Sequence, residues 1–174
     1  MKGLVIVYTG DGKGKTTAAL GMALRACGHG MRVSMLQFIK GTMPTGELAA
    51  AEHVPGLEII QLGAGFIETD EAGRPTKRHV DAAKDAVRTA LGKMESGDWD
   101  MVILDEVNVA LSRGLISDSE MKEVLRHRPP SLTLVLTGRC APDWLVDEAD
   151  LVTEMKAVKH PHTRGMEAQQ GIEH

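Results

Sequence analysis

Thr9-Gly10-Asp11-Gly12-Lys13-Gly14-Lys15-Thr16-Thr17 follows the apolar run of residues 4–8 and opens an alanine-rich segment. An apolar strand that empties into closely spaced glycines, with a lysine and a threonine at the first turn of the next helix, gathers backbone N–H groups around an anion. Residues 10–17 therefore read as a phosphate cradle. Lys15 supplies a mobile positive charge to the outer phosphates, and the Thr16 hydroxyl a ligand to magnesium. The spacing is a variant, because the usual pattern has about four residues between its two glycines. Here Gly10 and Gly14 are separated by three, and Thr9 stands one step earlier. Asp11, beside an anion, is expected to point away or to hydrogen-bond the turn, and Lys13 fits either phosphate or solvent.

The cradle sits in a repeating alternation. Residues 4–8 are a continuous β-branched apolar run, the mark of a strand buried on both faces. Residues 15–27 place Ala19, Met22, Ala23 and Ala26 on one helical face, and Gly28-His29-Gly30 ends that helix, with His29 a helix C-terminal residue. Further strands are expected at 32–38, 57–62, 101–104, 132–136 and 151–155, and helices at 47–53, 79–96, 118–127 and 142–148. Ser117-x-x-Glu120 is a capping box that opens the third of these helices. Residues 63–78 have no clean period, and a loop of that length inside a compact domain is usually functional or mobile. The alternation predicts an α/β fold: the three-layer P-loop NTPase (RecA-like) arrangement, with a mostly parallel central sheet of about six strands. Ligands of such sheets bind outside the C-terminal strand ends, where the cradle and Asp105-Glu106 would meet.

Asp105 and Glu106 follow four apolar residues. Phosphate-loop proteins hold magnesium in this way and set a second carboxylate near the nucleotide. Alone, such a pair is more often a helix cap or a solvated turn. Beside the cradle it reads as functional, with magnesium bridging Thr16 and Asp105 or Glu106, directly or through water. Lys15 and Glu106 are the candidate catalytic side chains. Together the two signals define a site for a nucleoside triphosphate and leave the reaction open.

Composition bounds the alternatives. The 174 residues suffice for a single domain, 1–174, and are few for two. With 43% hydrophobic and 25% charged residues the chain is an ordinary globular one. A net charge of −4 without a Lys/Arg block does not favour nucleic acid. Cys27 and Cys140 lie far apart, which points to reduced thiols and not to a zinc site or a disulfide framework. No apolar run approaches a membrane span of roughly 18 residues, and Met1-Lys2-Gly3 leads straight into a strand without a signal peptide. A cytoplasmic location, away from membranes, is expected.

Residues 7–30, with Gln37-Phe38-Ile39-Lys40-Gly41, Gly65-Phe66, Leu104-Asp105-Glu106, Thr137-Gly138-Arg139, Val158-Lys159-His160, Ala168-Gln169 and Gly171-Ile172, resemble the P-loop corrinoid adenosyltransferases nearly end to end. The Gln37 block and the Lys159-His160 tail make the likeness far more specific than a phosphate loop. It implies that ATP gives its 5′-deoxyadenosyl group to the cobalt(I) of a corrinoid, that inorganic triphosphate leaves, and that a shortened loop holds ATP reversed relative to ordinary P-loop enzymes. Cobalt is then the nucleophile, so the protein must position C5′ and stabilise the departing charge.

The resemblance also implies a nucleotide role for Arg25, otherwise a solvated helix residue, and binding roles for Lys159 and His160, otherwise a basic tail. Phe66 would pack on the corrin, though it equally fits a loop anchor. Relatives often carry a Trp soon after this Phe; here Ile67-Glu68-Thr69 follows without one, and the segment is one residue shorter. That departure bears on which corrinoid is used and how cobalt is reduced. A homodimer and a separate reductant such as a flavoprotein follow from the resemblance alone. Two other readings stay open: a nucleotide or nucleoside kinase, and a nucleotide- or corrinoid-binding module without turnover.

Overall fold

A computed structural model describes residues 2–160, 165 and 167–172. Six strands form one sheet: β1 (Val5–Thr9), β2 (Val33–Gln37), β3 (Leu57–Gln61), β4 (Met101–Asp105), β5 (Thr133–Thr137) and β6 (Leu151–Glu154). Their order is β3-β2-β4-β5-β1-β6 and every pairing is parallel. All C-terminal strand ends therefore lie on one edge. One strand, β5, separates the strand that feeds the cradle from the strand that carries Asp105.

Period-two alternation divides the apolar residues of the central strands between two cores. One face presents Ile6, Tyr8, Val33, Met35, Met101, Ile103 and Val135 to Ala19, Ala23 and Ala26 of α1 (Lys15–Gly28). Three alanines at helical spacing let that helix lie close to the sheet. The other face presents Val7, Leu36, Phe38, Val102, Leu104, Leu134 and Leu136 to a larger layer. That layer comprises α3 (Lys77–Glu95), α4 (Val107–Ser112), α5 (Asp118–His127) and α6 (Asp143–Glu148). The short α2 (Gly46–Ala51) packs beside β3. Three layers, predicted from alternation, are what the chain forms.

The capping box is present as expected. Ser117 accepts from the Glu120 N–H, and the Glu120 carboxylate accepts from the Ser117 N–H at 2.7 Å. Differences sit at element ends. β4 extends to Asp105, one residue beyond the predicted run, and α3 starts at Lys77. α4 was not expected, because Val107-Asn108-Val109-Ala110-Leu111 after an apolar strand reads as more of the same run. Its onset is set by Glu106, whose left-handed backbone (φ 61°) turns the chain sharply out of the sheet.

Candidate active-site cleft

Gly10 (φ 91°) and Gly12 carry the chain from β1 to α1 against the end of β6. The Met155 N–H donates to Thr9 O at 2.8 Å, and the Gly12 N–H donates to Met155 O at 2.6 Å. A Cβ on Gly12 would lie 2.7 Å from Met155 O, and one on Gly10 2.5 Å from the same atom. These glycines thus serve close backbone approach to the segment that follows β6. Lys15 opens α1 and is only 6% exposed. Its Nζ donates to Gly10 O and Gly12 O, each at 2.7 Å, so the ammonium sits across the mouth of the loop. Burial lowers its pKa below the usual lysine range. Glu106 and Asp11 pull against that shift, and Arg139 acts with it.

Asp105 has no exposed surface. Its Oδ1 accepts from the hydroxyls of Thr16 (2.8 Å) and Thr137 (2.7 Å), and its Oδ2 accepts from Gln37 Nε2 at 3.4 Å. Burial pushes the Asp105 carboxyl above its ordinary range, against the pull of the Thr137 and Thr16 hydrogen bonds. The neighbouring Glu106 is raised as well, first by burial and then by the charge of Asp105, with Lys15 and Arg139 opposing. Thr137 does double duty, since its Oγ also accepts from the Glu106 N–H at 3.0 Å. The two acids at the sheet edge are therefore fixed by groups from α1, β2 and β5 together.

A cleft of about 730 Å³ opens above these groups. Gly12, Lys13, Gly14, Lys15, Thr16 and Thr17 form its floor, and Glu106, Phe66 and His160 contribute to its walls. Phe66 is 86% exposed and also borders a second cavity of about 370 Å³. Gly10 and the exposed Asp11, both predicted to bind, do not line the cleft. Of the other predicted residues, Arg25, Lys159 and the fully buried Asp105 are also outside its lining. Arg25 is exposed in the last turn of α1, ten residues and roughly 15 Å along the axis from Lys15. Lys159 is exposed next to His160 and does not line the cleft.

The cleft also contains side chains to which the sequence reading gave no role. Lys40 and Glu47 form an ion pair at its rim, and Gln37 Nε2 donates to the same Glu47 Oε1 at 3.2 Å. Burial alone would raise the Glu47 carboxyl. The Lys40 hydrogen bond, its own backbone amide and Gln37 outweigh that and hold it below the usual range. Arg139, just past β5, adds a second cation to the wall. The Gln37–Gly41 block and Thr137-Gly138-Arg139 were visible as motifs. Their roles were not, because their partners come from other elements, Glu47 from α2 and Asp105 from β4.

Thr16, Asp105 and Glu106 make a hard, oxygen-only donor set, and the buried Asp105 already holds the Thr16 hydroxyl in place. Among the described residues no three His, Cys, Asp or Glu side chains converge as a metal cluster. The set fits magnesium, which takes one or two protein oxygens and completes its shell with phosphates and water. Among the described residues no helix is long and apolar enough to cross a membrane.

A family profile described as ATP:corrinoid adenosyltransferase BtuR/CobO/CobP matches residues 1–174. Corrinoid adenosyltransferases of a Sinorhizobium species, Salmonella typhimurium and Escherichia coli K12 are 42%, 40% and 37% identical to the chain. Each alignment covers 99% of this chain, and respectively 80%, 86% and 86% of those proteins. In shape, the flagellar accessory protein FlaH of Methanocaldococcus jannaschii matches 88% of this chain and 71% of its own, with a TM-score of 0.60 at 11% identity. That likeness bears on the P-loop NTPase-like fold alone.

Proposed function

The chain belongs to the ATP:corrinoid adenosyltransferase family and is an enzyme that transfers the adenosyl group of ATP to a corrinoid; from that premise we propose how its own residues carry the transfer. The kinase and non-catalytic readings give way to this membership. The observation that carries the proposal is the shared cleft, which the phosphate loop, Glu106 and the exposed Phe66 all line.

In this reading the triphosphate of ATP lies along the amides of the loop and the start of α1. Lys15 exchanges its two carbonyl partners for phosphate oxygens, and Arg139 and Lys13 add positive charge. Thr16, Asp105 and Glu106 would hold magnesium, which supplies charge neutralisation on the phosphates when bound. The ribose C5′ faces Phe66, on which the corrin packs. The cobalt(I) electron pair forms the Co–C5′ bond while the C5′–O bond breaks, and triphosphate leaves with that bonding pair. No general base is needed, which suits a site whose Asp105 carboxylate is held by the Thr16 and Thr137 hydroxyls and the Gln37 amide. Lys15 acts on the leaving group, and Glu106 supports the metal and the loop lysine. His160 closes one wall. Arg25 and Lys159 belong to nucleotide or corrinoid contacts only if the tail and a second subunit complete the site, in keeping with a homodimer. A flavoprotein reductant and a cytoplasmic setting complete the proposal.

Incubating the protein with MgATP and chemically reduced corrinoid is expected to give a light-sensitive cobalt–carbon product and one triphosphate per transfer. ADP and orthophosphate in place of triphosphate would overturn the assignment of the leaving group.

A further inference from the structure

The second cavity differs in chemistry from the phosphate cleft. Ile39, Phe66, Ile67, Pro75 and Val109 give it apolar walls, and Arg113 is the one charged residue in its lining among the described residues. Its volume of about 370 Å³ is too small to enclose a corrin, so it can receive only one edge of such a ring. Because Phe66 borders both cavities, a macrocycle packed on that ring would extend an edge toward Arg113.

Arg113 is placed there by the fold. It is the C-cap of α4, with its N–H donating to Val109 O at 2.9 Å, and α4 itself springs from Glu106. Its side chain is exposed and forms no ion pair among the described residues. The nearby Asp70 is already engaged, accepting from the Ala72 and Arg74 amides and pairing with the Arg74 guanidinium at 3.0 Å. Glu68 and Glu71 do not line the cavity. An unpaired guanidinium beside apolar walls recognises a planar carboxylate on the rim of an apolar body, through a charged two-pronged contact that an amide cannot match.

The arms around a corrin end either in carboxylates or in their amides. We propose that Arg113 is a specificity-determining residue that favours corrinoids with free peripheral carboxylates over fully amidated ones, gripping one rim of the ring beside Phe66. The inference rests on the corrinoid reading above and deepens it by naming the class of corrinoid.

The test uses the full chain with MgATP and two chemically reduced corrinoids of the same macrocycle, one bearing free carboxylates and one fully amidated. The unmodified protein should show a higher kcat/KM for the carboxylate form. In Arg113→Gln the ratio of the two kcat/KM values should fall roughly fivefold, mostly through KM, and Arg113→Lys should retain part of it. Added salt should erode the ratio in the unmodified protein and leave it flat in Arg113→Gln. An unaltered ratio in Arg113→Gln overturns the proposal. So does a salt-independent ratio in the unmodified protein, a measurement that needs no variant to fold. Equal and salt-independent kcat/KM for both corrinoids removes the Arg113 assignment and leaves adenosyl transfer standing. Adenosylation of neither removes both.

Discussion

Glu106 sits at the point where a carboxyl group, a backbone turn and a cationic loop meet. Its pKa is raised by burial and by the Asp105 charge, and Asp105 is itself raised by burial. A carboxyl whose folded pKa exceeds its unfolded value keeps its proton longer in the native chain. The stability it contributes is full below the unfolded pKa and is lost as pH rises through the folded one. Without nucleotide, these two acids should therefore make the protein less stable as pH climbs from about 4, the unfolded carboxylate value. Glu106→Gln is uncharged throughout that range. Thermal denaturation across a pH series is expected to show a shallower fall in Tm for the variant than for the unmodified protein, and parallel curves would contradict the assigned shift. At this scale the sequence was informative about Lys15, Thr16 and Asp105, since a strand, a glycine loop and a strand-terminal acid are local patterns. Gln37 and Thr137 stood out only as parts of motifs without a role, and Glu47 was silent. Their significance lies in hydrogen bonds between β2, α2, β4 and β5, and no spacing along the chain encodes those.

Among the elements, the phosphate loop is held from behind as much as from within. Gly12 packs against backbone atoms of Met155 and Lys156, which cannot move aside as a side chain would. Gly12→Ala should accordingly destabilise the protein by about 1–3 kcal/mol. For a chain of this length that is roughly 2–4 °C in Tm per kcal/mol. The drop should be seen in nucleotide-free thermal denaturation, and a variant with unchanged Tm would show that the contact with β6 is slack. α1 and α3 were legible from their apolar faces at helical spacing, the strands from continuous apolar runs, and α5 from its capping box. α4 was not. It follows an apolar strand with no glycine or proline to mark the break, and the event that creates it is the left-handed turn at Glu106, a residue type that does not advertise one.

Across the whole molecule, an all-parallel sheet delivers its strand ends, and hence its polar groups, to one edge. The opposite end is closed by structural contacts instead. Trp99 is flanked there by Arg32 and Lys93, whose charged atoms lie 5.0 and 4.8 Å from its ring centre. Ligand binding should then tie β1, β4 and β5 together at their exposed ends and raise the stability of the entire fold by mass action. MgATP at about a hundred times its Kd is expected to add about 2.7 kcal/mol. A metal chelator should remove most of the accompanying rise in Tm while ATP remains in excess. An equal rise with and without the chelator would separate the triphosphate from Thr16, Asp105 and Glu106.

Lys15 has two carbonyl oxygens to which its ammonium can return. A buried cation that lost an anionic product would otherwise be stranded in a poorly solvated place until the next substrate arrived. In the proposed cycle the departing anion would be replaced by Gly10 O and Gly12 O in a swap of partners, and the loop would reset itself between turnovers without recruiting solvent.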